Sequence, residues 1–277
     1  MSPRPVELLE ELLDTAYDVA RAAGAAALAW RERTGLLVQE KTGPGDLVSQ
    51  ADRDAEQAAR DVLTRRRPQD AVTGEEAGTT DPTTSADRIR WLVDPIDGTT
   101  NYVYGRDDWT VSVAAVDADS GAVLAGVVTE PATGRATGAR IGGGTRSDGR
   151  LVQVRATTSL RHVVADVGLG RAAHRPLAGR LFELVVPQLR DVRRSGSAAL
   201  ALVQVATGRA DASWGPGLQP WDAAAGLLLV AEAGGVVGDL DGPGDGAFPA
   251  SGNVLAAAPA VFEPLRRLLG EVYRSPG

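Results

Sequence analysis

The stretch from Asp94 to Asn101 reads DPIDGTTN and follows the apolar residues Trp91 to Val93. Pro95 fixes its own φ and keeps Asp94 extended. Asp94 and Asp97 therefore stand where a strand becomes a turn, and both can face one pocket. Two adjacent carboxylates repel unless a cation lies between them, so the pair suits a divalent metal or a metal pair. Gly98 permits close backbone approach. Thr99, Thr100 and Asn101 bring N–H groups and hydroxyls, which cradle an anion if a helix or tight turn begins there. Carboxylates for a metal beside amides for a phosphate are the parts of metal-assisted phosphoester hydrolysis. Asp, Pro and Gly also make ordinary turns, so two further acidic clusters matter. Glu75 and Glu76 follow a short apolar stretch, and alone they read as a solvated pair. Asp222 follows Trp221 at the predicted start of a long apolar helix, where Asp also serves as a cap.

Composition narrows the chemistry. The 277 residues contain no Cys and only His162 and His174 as imidazoles. This excludes a disulfide framework, Cys-ligated zinc and thiol catalysis. A bound metal would be held by carboxylates, carbonyls and water, which favours Mg²⁺ or Mn²⁺. The net charge of −7 argues against a nucleic-acid partner. No run approaches the roughly 18 apolar residues of a membrane span. The first residues lack a basic segment followed by an apolar one, so the expectation is a cytoplasmic enzyme. Its basic residues are arginines except Lys41, in the loop KTGPGD at 41–46.

Several elements must position these groups. Apolar spacing predicts a helix over 6–33 and a second from Ser49 to a stop before Pro68. Strands are predicted at Ile89–Val93 and Thr110–Val116, with VLAGVVTEP and RATGAR as a hairpin. Beyond them come a strand in HVVADVG and a helix in PLAGRLFELVVPQL. A helix closed by Gly208, a strand in ADASWG, a helix stopped by Gly234 and Gly235, and a strand in VVGDL complete the series. The expected organisation is an α+β half, 1–155, packed on an α/β half, 156–277.

The stretches GDLVSQADRDAE, GEE, DPIDGTTNY, GSAAL…VATGRADA and PWDAAAG…AEAGG occur in this order over most of the chain. Together they resemble the inositol monophosphatase family of Mg²⁺-dependent, lithium-sensitive sugar and polyol phosphatases. The resemblance implies a layered αβαβα sandwich, a homodimer, and two to three Mg²⁺ ions, with Mn²⁺ as a substitute. One metal would sit on Glu75, Asp94 and the Ile96 carbonyl, a second on Asp94, Asp97 and Asp222, and a weaker third on Glu75. The N–H groups of Gly98 and Thr99 would hold phosphate. Thr99, hydrogen-bonded to Asp52 and near Glu75, would help to deprotonate the attacking water. Lys41 would approach the phosphate or the third metal, and Gly196, Ser197 and Ala198 would lie against the substrate. Arg193 and Arg194 are candidates for a second anionic group.

The pattern departs at one place. Inositol-hydrolysing members carry Glu seven residues before the WD aspartate, and here that position is Gly215. The leading expectation is a phosphomonoesterase acting on a small phosphorylated metabolite. Inositol 1-phosphate comes first, then histidinol phosphate, then fructose 1,6-bisphosphate. A 3′-phosphoadenosine nucleotide is disfavoured, because that branch has Lys-Glu where Thr100 and Asn101 stand. The alternative of another class is a non-catalytic regulatory partner of the transcription machinery.

Overall fold

The computed structural model describes residues 4–33, 38–40, 47–80, 87–170 and 172–273. Lys41 and its loop lie outside the described residues. The chain begins with helix α1 (Val6–Arg31), and a two-stranded ribbon, β1 (Val38–Glu40) and β2 (Leu47–Ser49), leads into α2 (Gln50–Arg66). Leu9, Leu12, Ala16, Val19, Ala20, Ala23 and Ala27 make one buried stripe on α1; Ala51, Ala55, Ala59, Val62 and Leu63 make another on α2. The alanines let the two helices pack closely over one sheet.

That sheet has eight strands in the order β10-β9-β8-β7-β6-β5-β3-β4. They are β3 (Ala71–Gly74), β4 (Gly78–Thr80), β5 (Ile89–Asp97), β6 (Thr110–Asp117), β7 (Val123–Glu130), β8 (Arg135–Arg140), β9 (Arg146–Ser147) and β10 (Arg150–Leu151). Only β3 and β5 pair in parallel among these neighbours. Between β5 and β6 lies a short helix, α3 (Thr99–Val103). The central strands are apolar on both faces. Trp91, Val93, Val111 and Val113 pack with α1 and α2, whereas Leu92, Ala114, Val116 and Val128 join the opposite core. Burial on both faces explains the unbroken apolar runs of β5 to β7.

A second sheet of five strands has the order β12-β11-β13-β15-β14. Its members are β11 (Val164–Val167), β12 (Asp191–Arg193), β13 (Ala212–Gly215), β14 (Val236–Gly238) and β15 (Val254–Ala257). β12, β11 and β13 run in parallel. Helices α5 (Ala198–Ala206) and α6 (Pro220–Glu232) pack between the sheets, and α7 (Pro259–Tyr273) covers the far face. The layers are therefore α, β, α, β, α, as the resemblance implies. One helix differs from expectation. Residues 172–188 form a broken run: a 3₁₀ turn, the short α4 (Ala178–Arg180), a π turn and another 3₁₀ turn. Pro176 and Pro187 remove two donors and crowd the preceding turn, so a continuous helix cannot form.

The middle layer needs small residues. A Cβ at Gly126 of β7 would stand 2.9 Å from the Cα of Ala225 on α6. Glycine here lets the helix that carries Asp222 rest directly on the large sheet. We expect Gly126→Val to destabilise the protein by about 1–3 kcal/mol through overpacking. Urea unfolding measures this, and an unchanged midpoint would contradict close contact of α6 with β7.

Candidate active site

Alternation along β5 puts Asp94 in step with Leu92, facing the middle layer. Three residues further on, a regular strand would turn Asp97 to the opposite face. The pairing with β6 slips instead: Asp94 lies opposite Ser112 and Asp97 opposite Thr110, three steps on one strand against two on the other. This bulge brings both carboxylates to one side. Asp94 is buried, and one of its oxygens, Oδ1, accepts the Ile96 N–H at 3.1 Å.

Each of the other acids is also fixed by the scaffold. The Asp97 Oδ2 accepts from Ser197 Oγ and the Ala199 N–H, both at 2.6 Å. Ser197 caps α5, accepting the Leu200 N–H at 3.0 Å. The Asp222 Oδ2 accepts the Gln219 N–H at 2.8 Å, so Asp222 closes the first turn of α6 from inside rather than preceding the helix as its cap. Ser112 Oγ donates to the Trp221 carbonyl at 2.9 Å and ties that turn to the strand opposite Asp94. Glu75 follows β3, and its N–H donates to the Val93 carbonyl at 3.3 Å, which places it beside Asp94.

The Glu75 turn has a support that the sequence reading did not single out. Glu56 on α2 is 1% exposed and accepts the N–H groups of Glu76 at 2.7 Å and Ala77 at 3.1 Å. Arg60 donates to the same carboxylate at 2.8 Å. The available signal was an acid placed in the buried stripe of an amphipathic helix. Asn101 is a second such support: its amide donates to the carbonyls of Asp108 at 2.6 Å and Ser195 at 2.7 Å. It pins the loop before α5 to the turn after α3.

The acids feel one another strongly. Burial pushes the Asp94 carboxyl well above the usual range, and Glu75, Asp97, Asp222 and Asp52 raise it further. Burial also pushes Asp97 up to about 6, against the hydrogen bonds from Ser197, Ala199 and Ala198, while Glu75 adds to the rise. Even so, no three acidic or imidazole side chains among the described residues converge on one point at coordinating distance. Like charges in a buried space keep apart. The donor set consists of carboxylates and a carbonyl, as a hard divalent cation requires, and neutralising the crowded charge is what such a cation does. The residues thus fit Mg²⁺ or Mn²⁺.

A cleft of ≈ 240 Å³ opens over the group, lined by Glu75, Asp94, Ile96, Asp97, Asp222, Gly98, Thr99, Gly196, Ser197 and Ala198. Gly98 has φ 95° and begins α3, so the first N–H groups of that helix have no carbonyl partner within it. One expected contact differs. The Thr99 hydroxyl donates to the Ile96 carbonyl at 3.1 Å rather than to Asp52, because the left-handed turn at Gly98 folds Thr99 back over Ile96. Asp52 is buried in the first turn of α2 and does not line the cleft. Ser197 lines the cleft and turns its hydroxyl onto Asp97, so it braces an acid.

Comparison with known proteins identifies the family. A model of the inositol monophosphatase family matches residues 8–273. An inositol-1-monophosphatase of Mesorhizobium japonicum is 42% identical over 234 residues, covering 80% of this chain and 85% of that protein. The Nus factor SuhB of Pseudomonas aeruginosa is 33% identical over 261 residues, covering 93% and 95% respectively. The crystal structure of the extragenic suppressor protein suhB from Bartonella henselae matches with a TM-score of 0.85 at 33% identity, covering 92% of this chain and 97% of that one. With its layered fold, its DPIDG bulge and a family match over nearly its whole length, the chain belongs to the inositol monophosphatase family.

Proposed function

We propose that the protein is a Mg²⁺-dependent phosphomonoesterase hydrolysing a small phosphorylated metabolite of the inositol monophosphate kind. The observation that carries this reading is the crowding of Glu75, Asp97 and Asp222 around buried Asp94, beside the start of α3 in one cleft. Glu75, Asp94, the Ile96 carbonyl, Asp97 and Asp222 are the groups that would hold two to three ions, with Mn²⁺ as a substitute. When bound, the metal supplies Lewis-acid polarisation and brings the pKa of water towards neutrality.

The chain's own groups do the rest. The N–H groups of Gly98 and Thr99 orient the phosphate at the start of α3. The Thr99 hydroxyl, donating to Ile96, keeps lone pairs that accept a hydrogen bond from water and aim it at phosphorus. Glu75 takes the water's proton, with Asp52 supporting from α2. We extend this reading to a cytoplasmic protein, a homodimer as the family resemblance implies, and the net charge of −7 disfavours a nucleic-acid partner. Histidinol-phosphatase and fructose-1,6-bisphosphatase activities are the alternatives within the same chemistry. The likeness to a protein named Nus factor favours a second reading, a regulatory partner of the transcription machinery. That reading requires co-purification with RNA polymerase and negligible turnover.

The deciding experiment follows phosphate release with Mg²⁺ and with EDTA. Its substrates are inositol 1-phosphate, histidinol phosphate, fructose 1,6-bisphosphate and 3′-phosphoadenosine 5′-phosphate. We expect turnover of at least one ester with Mg²⁺ and none with EDTA. Asp94→Asn should lower turnover by about 10³-fold or more while the fold persists; retained turnover would sink the metal assignment.

The raised carboxyls make a second, independent prediction. Asp94 and Asp97 bind protons more tightly folded than unfolded. Without metal, the contribution of Asp97 to stability is therefore present below a pH of about 4 and is lost as pH rises through about 6, and Asp94 acts in the same direction. Mg²⁺ binds the ionised form and offsets this loss. The rise in melting temperature on adding Mg²⁺ should be larger at a pH of about 7 than at about 5. Calorimetry showing the same rise at both would contradict metal binding by these acids.

A further inference from the structure

The cleft has a second wall, made by the carboxyl ends of the parallel strands β11 and β13, a place where open sheets commonly receive ligands. Asp166 pairs with Ser213 in register, so the two share a face; Gly215 follows on that face of β13, and Gly168 comes just after the end of β11. All four line the cleft that holds the catalytic acids. Asp166 and Ser213 are the side chains lining this recess of the cleft.

Asp166 is 2% exposed. Its Oδ1 accepts the Ser195 N–H at 3.1 Å, and its Oδ2 has no hydrogen-bond partner among the described residues. Burial raises its pKa against the pull of Ser195, Arg194 and Arg193, but the nearby Ser195 hydroxyl donates to the Ser197 carbonyl at 3.1 Å, neither arginine forms an ion pair with Asp166 among the described residues, and Arg193 pairs with Asp191 at 2.6 Å. An acceptor buried without a donor is costly, and nearly all such groups find a partner. Holding the Ser195 loop does not account for it: an asparagine would accept that N–H equally well without burying a charge. On β13, position 215 offers no competing group. A Cβ at Gly215 would stand 2.8 Å from Leu218 Cδ1, so Leu218 occupies the space a side chain there would enter.

We propose that Asp166 is a specificity-determining residue, whose Oδ2 accepts a hydrogen bond from an O–H or N–H donor on the alcohol part of the bound phosphate monoester. This rests on the phosphatase reading and names its substrate class: esters whose alcohol carries a hydroxyl or ammonium beside the phosphate, in preference to esters that lack any donor. Asp166 takes no part in the chemical step. It reads the leaving group from the wall facing the phosphate site.

The test compares wild type and Asp166→Asn on three esters with Mg²⁺ present. Inositol 1-phosphate carries hydroxyls, histidinol phosphate carries an ammonium, and phenyl phosphate carries no donor. The asparagine keeps an acceptor for Ser195 and can turn a donor towards the recess. We expect kcat/KM on a donor-bearing ester to fall by about ten- to hundred-fold more than on phenyl phosphate. A fall confined to inositol 1-phosphate assigns a hydroxyl partner, and one confined to histidinol phosphate assigns an ammonium. The ratio of kcat/KM values within one preparation does not depend on the fraction of folded enzyme, so poor folding of the variant cannot imitate the effect. An equal change on all three esters, or none, overturns the inference while leaving the phosphatase reading intact. A wild type that releases phosphate from none of them overturns the phosphatase reading, and this inference with it.

Discussion

The repulsion among acids gathered around a buried Asp94 is the constraint on which the rest of the site depends. Carboxylates in a low-dielectric space would spread, take up protons or turn to solvent unless the fold opposed them. Here the opposition comes from backbone. Asp97 faces the first N–H groups of α5, and Asp222 closes the first turn of α6. Both helices thus point their positive ends at the cluster. The middle helical layer is therefore an electrostatic counterweight as well as packing between two sheets. Its alanines and the glycine at 126 matter because they bring those helix starts close to β5.

Holding the acids in place falls to residues that do not line the cleft or do not face it. Glu56 shapes the turn that presents Glu75, and Ser112 fixes the start of α6 opposite Asp94. Asn101 joins the turn after α3 to the loop before α5. These bonds cross between layers that are far apart in sequence. A change in one layer is transmitted to the geometry of the others through a few buried polar contacts, which low local dielectric makes strong.

Much of this was legible in the sequence, for physical reasons. A strand buried on both faces leaves a long apolar run, so β5 to β7 could be read. A bulge ending in a left-handed turn demands Pro and Gly at fixed places, so the spacing of Asp94, Asp97 and Gly98 stood out. The helix expected in PLAGRLFELVVPQL is broken because apolar spacing persists up to Pro187 while the proline's backbone chemistry forbids a regular turn there. The closing pair, β15 and α7, lies where Gly and Pro signals dominate the preceding loop. Ser197 could not be assigned because its partner, Asp97, is a hundred residues away. Asp166 was hidden by its neighbours: in HVVADVG a single acid among apolar residues marks a buried strand and says nothing about what it faces.

The two walls of the cleft treat charge in different ways, and the difference bears on selectivity. On the β5 wall, acid is concentrated, and helix starts offset part of it, so that wall favours whatever carries compensating positive charge. On the β11 wall, a single carboxylate has one oxygen held by Ser195 and the other without a donor among the described residues. A wall of the second kind adds little to binding when an ester lacks a donor, because the buried acceptor then stays unsatisfied. It discriminates more by penalising the wrong alcohol than by attracting the right one, and a buried polar group left unpaired is the strongest rejection a small pocket can provide. Separating the two tasks lets the first wall keep one arrangement for the phosphate while the second sets which alcohol is accepted. A chain with glycine at 215 can in this way retain selectivity through a residue on the neighbouring strand.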